Sequence, residues 1–335
     1  MVLAVLVGLG LSSSTHAQDK VDGECLPTLL AAEGFTPPEA FKALVIVLPK
    51  RGSQEPARAY DWHGTSADRE GWWPASSIKL FAAVAALETT HRLGFGPRTQ
   101  VTFEYPEGPV QLRLDRVVKD ALIPSNNLAF DRLVEIVGFD ALHREFFTKK
   151  NGFSNTVFQR GYGGRIKDPV TQSGTNLNSP PITLSFGKRH KTLPERNGKP
   201  RGQCPEQGNC TSLRELAETL RRVMLHEELL EAERFDLGPD ELALLRSALG
   251  TPRSRGENIV DGLRAGYGAE RALTLHHKAG FALKWMSDNL LVEEPATGDR
   301  YIVALAGYPG RESLDQASLL IGKLLARGAF KATTR

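Results

Sequence analysis

The chain has 335 residues, 41% of them hydrophobic and 24% charged, the balance of a globular protein, and its length suits about two domains. A net charge of +3, with the basic residues spread along the chain, offers no electrostatic footprint for a nucleic-acid partner. Three cysteines exclude a dense disulfide scaffold and paired CxxC zinc modules.

Residues Val2 to Leu11 are a ten-residue apolar run, followed by small and polar residues through Ala17. This resembles the apolar core and cleavage site of a secretory signal, so 1–17 is expected to be removed and the mature chain to be periplasmic or secreted. No charged residue precedes the run, because Val2 follows Met1 directly, so either the true start lies upstream or the signal is weak. The run is too short to span a bilayer, and no later uncharged stretch is long enough. Export permits a disulfide. Cys204 and Cys210 flank the loop Pro205 to Asn209 and could close it, leaving Cys25 free or paired elsewhere; the sequence does not fix the connectivity.

Residues 41–48 read as a buried strand and 57–63 as a second, with Gly52 and Pro56 in the connection. From Ser76 to about Leu93 apolar residues recur at helical spacing: Leu80, Ala83, Val84 and Leu87. Helical patterns return at 112–122, 128–137 and 139–149. Residues 150–210 are rich in Gly, Pro, Asn and Thr with weak periodicity, and read as a long irregular excursion. A capping box of Ser212 and Glu215 starts a helix reaching about His226; another follows Pro239, and a third covers 257–265. Strands are expected at 271–278, 283–292 and 300–308, and a final apolar-faced helix at 314–327.

Strands therefore lie at both ends and helices in the middle. The expected fold is α+β: a five-stranded antiparallel sheet built from 18–95 and 266–335 and flanked by terminal helices, with a helical domain at 96–265. A crevice between two such domains is a common place for a small-molecule site.

Ser76-Ser77-Ile78-Lys79 is an S-x-x-K tetrad at the start of an apolar helix. Residues i and i+3 share a helix face, so Lys79 is expected to reach the Ser76 hydroxyl. The helix N-terminus supplies free N–H groups and a positive dipole end, which favour a developing oxyanion. A buried ammonium loses its proton more easily, so Lys79 is a candidate general base. A four-residue pattern with two fixed positions arises about once by chance in such a chain. A second one, Ser185 to Lys188, stands in the polar excursion, and a serine at Ser76 is also an ordinary helix cap. What separates the first is company. Ser125-Asn126-Asn127 follows Pro124 in a break between two helices, and Lys278-Ala279-Gly280 ends a strand. Ser287-Asp288-Asn289, a literal S-D-N, lies in the wrong order and inside a strand, and reads as sheet.

S-x-x-K, S-x-N and K-x-G in that order resemble the penicillin-recognising serine enzymes, the class A-type β-lactamases and the DD-peptidases (penicillin-binding proteins). Trp73 to Phe81, Thr211 to Val223 and Gly262 to Tyr267 are similar to further stretches of that family, and the likeness runs over roughly 40–330. It implies an α/β domain plus an all-α domain with the site between them. It makes Ser76 the nucleophile and Lys79 its proton acceptor or relay. Ser125 would pass a proton to the leaving nitrogen, and Asn127 would bind the substrate's amide side chain. Lys278, with Ala279 and Gly280, would line the substrate carboxylate, and the backbone N–H groups of Ser76 and Phe281 would form the oxyanion hole. The implied partner is a β-lactam or a peptidoglycan peptide, handled by a monomer without a cofactor.

Three departures stand out. K-T-G is K-A-G here, so Ala279 offers no hydroxyl. S-D-N is S-N-N. The E-x-x-L-N pattern, whose Glu activates the deacylating water in class A enzymes, is missing between Asn127 and Lys278. Asp168, beside Arg165 and Lys167, is the only carboxylate from Asn151 to Pro194; it reads as a surface ion pair or a replacement base. Gly161-Tyr162-Gly163-Gly164 lacks the frame of a phosphate loop and reads as a plain loop, and the basic residues of 188–201 as a solvated one. His276 and His277 face opposite sides of a strand, which suits no shared metal.

Overall fold

A computed structural model describes residues 21–53, 55–163, 177–204, 208–250 and 258–330. The apolar run at 2–11 and Asp168 lie outside the described residues.

The chain opens with strand β1 (Val21–Asp22), helix α1 (Cys25–Ala32), and strands β2 (Ala40–Leu48) and β3 (Arg58–Asp61). A 3-10 turn over Ala75–Ile78 leads into α2 (Lys79–Arg92). Next come β4 (Gln100–Tyr105), β5 (Gly108–Arg113), α3 (Leu114–Leu122), α4 (Asn127–Val137) and the single turn α5 (Phe139–Ala141). A hairpin of β6 (Ile182–Phe186) and β7 (Arg189–Leu193) precedes α6 (Leu213–Met224), α7 (Pro239–Leu249) and α8 (Asn258–Tyr267). The chain returns through β8 (Thr274–His277), β9 (Gly280–Ala282), β10 (Trp285–Glu294) and β11 (Asp299–Tyr308), and closes with α9 (Arg311–Ala326).

The main sheet has the order β1-β3-β2-β11-β10-β8, with β9 also on β10. Its pairs are antiparallel except β1, which runs parallel to β3. The five expected strands are present, and β1 and β9 are added. β2 is apolar from Ala43 to Leu48 because both of its faces are covered, and its one charged residue, Lys42, is buried against Asp68. Leu44, Ile46, Ile302 and Ala304 pack toward the helical part of the chain. Ala43, Val45, Val303 and Leu305 alternate onto the other face, against α1, α8 and α9. The α8–α9 contact is close enough that a Cβ at Gly266 would sit 1.9 Å from the Leu319 carbonyl oxygen.

The helical part carries a second sheet, β5-β4-β6-β7. Half of it lies in 150–210, where the sequence pattern predicts no regular element. Ile182 and Leu184 do alternate inward, but their partner strand reads Arg-His-Lys-Thr-Leu and lies almost wholly in solvent. With no apolar face on β7, hydrophobic periodicity has nothing to report. The helix expected at 139–149 is instead the turn α5, a π-turn over Leu142–Phe146 and a 3-10 turn at Lys149–Asn151.

Ser212 caps α6 by accepting from the Glu215 N–H at 3.2 Å, but the expected capping box is only half formed. The buried Glu215 carboxylate is turned instead to the Ser154 and Asn155 N–H groups, each at 2.7 Å, and to the Thr156 hydroxyl. The irregular loop leaves those amides without a backbone partner, and the buried carboxylate finds several donors there where the N-cap offers one. Arg196 leaves the basic segment for a similar reason. Its guanidinium donates to the carbonyls of Glu135, Ile136 and Val137, the unsatisfied end of α4. Cys204 and Cys210 are joined in a disulfide, and Cys25 is free.

Candidate active site

Three segments meet where the helical part faces the sheet. The first is the turn Ala75–Ile78, which presents Ser76, half-buried, and hands the chain to α2 and Lys79. The second is the break between α3 and α4. There Ser125 takes a φ of 60°, left-handed for a residue with a Cβ, and Asn126 accepts from the Ala129 N–H at 2.9 Å to cap α4. This gives Asn126 a structural task that an aspartate could also perform. The third is the β8–β9 junction with Lys278, Ala279 and Gly280.

Lys79 is fully buried. Its ammonium donates to the Ser125 carbonyl, to Asn127 Oδ1 at 2.6 Å and to Ser125 Oγ at 3.3 Å. Lys278, also buried, donates to Ser125 Oγ at 3.0 Å and to the Ala279 carbonyl at 2.8 Å. The Ser125 hydroxyl thus stands between two ammonium groups. A hydroxyl both accepts and donates, so this one can pass a proton from one amine toward a third group. The helix-face spacing directs Lys79 to the Ser76 hydroxyl, whereas its ammonium is turned to Ser125 and Asn127. A buried ammonium needs several acceptors, and the Ser125 carbonyl and the Asn127 amide supply more than one hydroxyl could.

Gly280 lets β9 lie against the Ser76 turn. A Cβ there would be 2.3 Å from the Pro74 carbonyl oxygen and 2.8 Å from the Ser77 nitrogen. Phe281 follows in β9, in register with Met286 of β10, its ring exposed. Ala279 is buried and presents no hydroxyl, as its sequence requires. Ser76, Lys79, Ser125, Asn127, Lys278 and Gly280 are therefore brought together, while Asp168 falls outside the described residues.

Several neighbours carry no motif of their own. Ser287, in the S-D-N that reads as sheet, is in β10, and its hydroxyl donates to the Pro74 carbonyl at 3.1 Å. Asp288 pairs with His277 at 2.9 Å, both buried, and Asn289 donates to the Leu216 carbonyl at 2.6 Å. That strand segment thus fastens the Ser76 turn, the strand before Lys278 and α6 at successive residues. Asp131 of α4 accepts from the Tyr162 and Gly163 N–H groups at 2.7 and 2.6 Å, bringing Tyr162 under the turn. No sequence motif marks Asp131; the glycines around Tyr162 are the only trace.

A sheet made from both chain ends, a helical insertion, and two lysines on one serine beside a helix start define the serine β-lactamase and penicillin-binding-protein class. The family model described as the Beta-lactamase enzyme family matches residues 66–327, and the chain belongs to that family. Its structure is similar to PBP-A, with a TM-score of 0.59 at 17% identity over 92% of this chain and 98% of that one; a mutant of PBP-A is known as its acyl-enzyme complex with penicillin G. It is similar to a beta lactamase from Burkholderia vietnamiensis, with a TM-score of 0.58 at 16% identity over 95% and 100% of the two chains. It is also similar to the TLA-1 extended-spectrum beta-lactamase, with a TM-score of 0.59 at 14% identity over 92% and 99%. Among curated proteins no sequence match is found. Among the described residues no helix is long and apolar enough to cross a membrane.

Proposed function

We propose that the chain opens β-lactam rings through an ester on Ser76 and releases that ester slowly. The observation that carries this is the Ser125 hydroxyl held between Lys79 and Lys278 beside the Ser76 turn. In this reading Lys79 first gives up a proton and then, as the neutral amine, takes the Ser76 proton, directly or through Ser125, as Ser76 Oγ adds to the lactam carbonyl. The oxyanion is held by the N–H groups of Ser76 and Phe281, and donors of this kind contribute heavily to the rate of acyl transfer. Ser125 then delivers the proton to the ring nitrogen as the C–N bond breaks. Lys278 attracts the substrate carboxylate, and Asn127 orients the acyl amide. The acyl-enzyme complex that a mutant of PBP-A makes with penicillin G supports the reading by analogy.

The second step needs an activated water, and the sequence lacks the E-x-x-L-N pattern that would position a carboxylate for it. The same absence favours a second reading, a DD-peptidase acting on peptidoglycan stem peptides, whose small leaving D-Ala clears the way for water. A third, binding without turnover on this fold, takes its support from Ala279.

A fluorescent penicillin should label the wild type and Ser77→Ala covalently but not Ser76→Ala. Persistent labelling of Ser76→Ala would remove the assignment, and no labelling of the wild type would leave the binding reading. Turnover of a chromogenic cephalosporin, set against D-Ala release from a pentapeptide, separates the two enzymes. Intact-mass spectra taken during turnover should show protein plus one drug molecule.

A further inference from the structure

Two consecutive carbonyls lead into Ser76, and both are held. The Pro74 oxygen accepts from Ser77 N at 3.1 Å, Ser77 Oγ at 2.6 Å and Ser287 Oγ at 3.1 Å. The Ala75 oxygen accepts from the Tyr162 hydroxyl at 3.2 Å. Ala75 has a φ of 46°, left-handed for a residue with a Cβ, a conformation that persists only when its surroundings enforce it. The Ala75 C=O and the Ser76 N–H belong to one planar trans peptide, so they point in opposite directions. Whatever fixes the oxygen therefore aims the N–H.

We infer that Tyr162 is a positioning residue for the oxyanion hole: its hydroxyl holds the Ala75 carbonyl and so aims and polarises the Ser76 N–H toward the substrate's carbonyl oxygen. The inference rests on the proposed role of that N–H. Donation to a carbonyl makes the N–H of the same peptide a stronger donor, because linked hydrogen bonds polarise one another. Tyr162 is fixed well enough for the task. Its own N–H is bound to Asp131, as is that of Gly163, and its ring stacks on Phe130 with centroids 4.8 Å apart. Phe130 and Asp131 lie on α4, the helix that starts with Asn127, so one helix sets both an Asn127 contact to Lys79 and the Tyr162 support. Gly163 is needed for this approach, since a Cβ there would lie 2.5 Å from the Asp131 carboxylate. Burial pushes the Tyr162 phenol up to about 12, so it remains a donor through neutral pH.

Tyr162→Phe keeps the ring and its stacking and removes only the donor. Acylation by a fluorescent penicillin should slow about three- to tenfold, the range for one lost hydrogen bond, with reversible pre-binding unchanged. The ester carbonyl stretch of the Ser76 acyl-enzyme should move to higher frequency, because a weaker hole polarises it less. Replacing Tyr162 by 3,5-difluorotyrosine, a stronger donor, should move both readouts the other way, which guards against a Phe variant that folds poorly. A third readout needs no substrate: the Ser76 amide nitrogen resonance should shift upfield in Tyr162→Phe. If penicillin labels nothing in the wild type, the proposed function fails while the amide shift still decides this inference. An unchanged Ser76 amide, or an acylation rate and ester stretch that match the wild type, overturns it.

Discussion

Substituting Gly280 by alanine tests whether the site depends on how closely β9 approaches the Ser76 turn. The added methyl would lie 2.3 Å from the Pro74 oxygen, 2.8 Å from the Ser77 nitrogen and 2.9 Å from Ser287 Oγ. Two of these atoms are backbone of the turn itself, so relief requires the strand to move. Overpacking costs about 1–3 kcal/mol, and backbone obstacles place this variant near the upper end, at about 3 kcal/mol. With an unfolding entropy of about 2.1 cal/mol/K per residue over one cooperative transition, that lowers Tm by about 4 °C. A strand displaced by about 1 Å should slow acylation by about 10²-fold. Adding Ser287→Ala should restore neither property, because the nearest obstacle is the Pro74 carbonyl. Gly202→Ala is the control: nothing lies within 4 Å of its Cβ position, and its Tm should hold. Thermal melts and penicillin acylation rates measure both effects. A Gly280→Ala protein with the melting point and acylation rate of the wild type would refute the reasoning, and rescue by Ser287→Ala would move the cause from backbone to side chain.

Lys79→Ala should fold yet acylate about 10²–10⁴-fold more slowly, the usual cost of a lost general base; unchanged acylation would reduce Lys79 to a structural tie between α2 and α4. His143 gives a pH dependence to stability. Burial, outweighing the backbone partners that Phe139 and Phe158 offer its ring nitrogens, lowers its pKa from 6.5 to about 4, and the charge of Arg201 adds to the fall. A depressed histidine means that the unfolded chain binds the extra proton first. Its stabilisation is therefore complete above about pH 6.5 and is lost toward pH 4, at up to about 1.4 kcal/mol per pH unit. Urea midpoints should fall over that window in the wild type and fall less in His143→Gln; equal slopes would remove His143 as the cause.

The central strands of the main sheet were legible because β2, β10 and β11 bury both faces and so carry apolar stretches, Ala43 to Leu48, Leu290 to Val292 and Tyr301 to Ala306. The three motifs were legible because each pairs a chemical residue with a local break: the start of α2, the Pro124 break, the end of β8. The β6–β7 hairpin was not, because its outer strand is basic and solvated, and basic residues signal exposure rather than conformation. Glu215 illustrates a different limit. Its spacing from Ser212 fits a capping box, yet the carboxylate goes to amides some sixty residues earlier, a choice made by tertiary burial. Ser287 and Tyr162 were passed over for a related reason. Each acts through a backbone carbonyl of the Ser76 turn, and a carbonyl leaves no mark on side-chain patterns.

The pairing of β2 with β11 has a consequence for how the protein is made. Leu48 is opposite Arg300, and Ala40 opposite Tyr308. On the ribosome, the apolar strand emerges some 250 residues before its neighbour exists. At about 5–20 residues per second, that leaves it exposed on one edge for roughly 10–50 s. The Ser76 turn waits as well, since Gly280 and Ser287, which press and fasten it, belong to the same late segment. A chain released before β10 would hold Ser76, Lys79 and Ser125 without the strand that completes their surroundings, together with an unpaired edge open to other chains. The cell thus meets the protein first as an aggregation risk, and only after β9 to β11 have followed as a completed site.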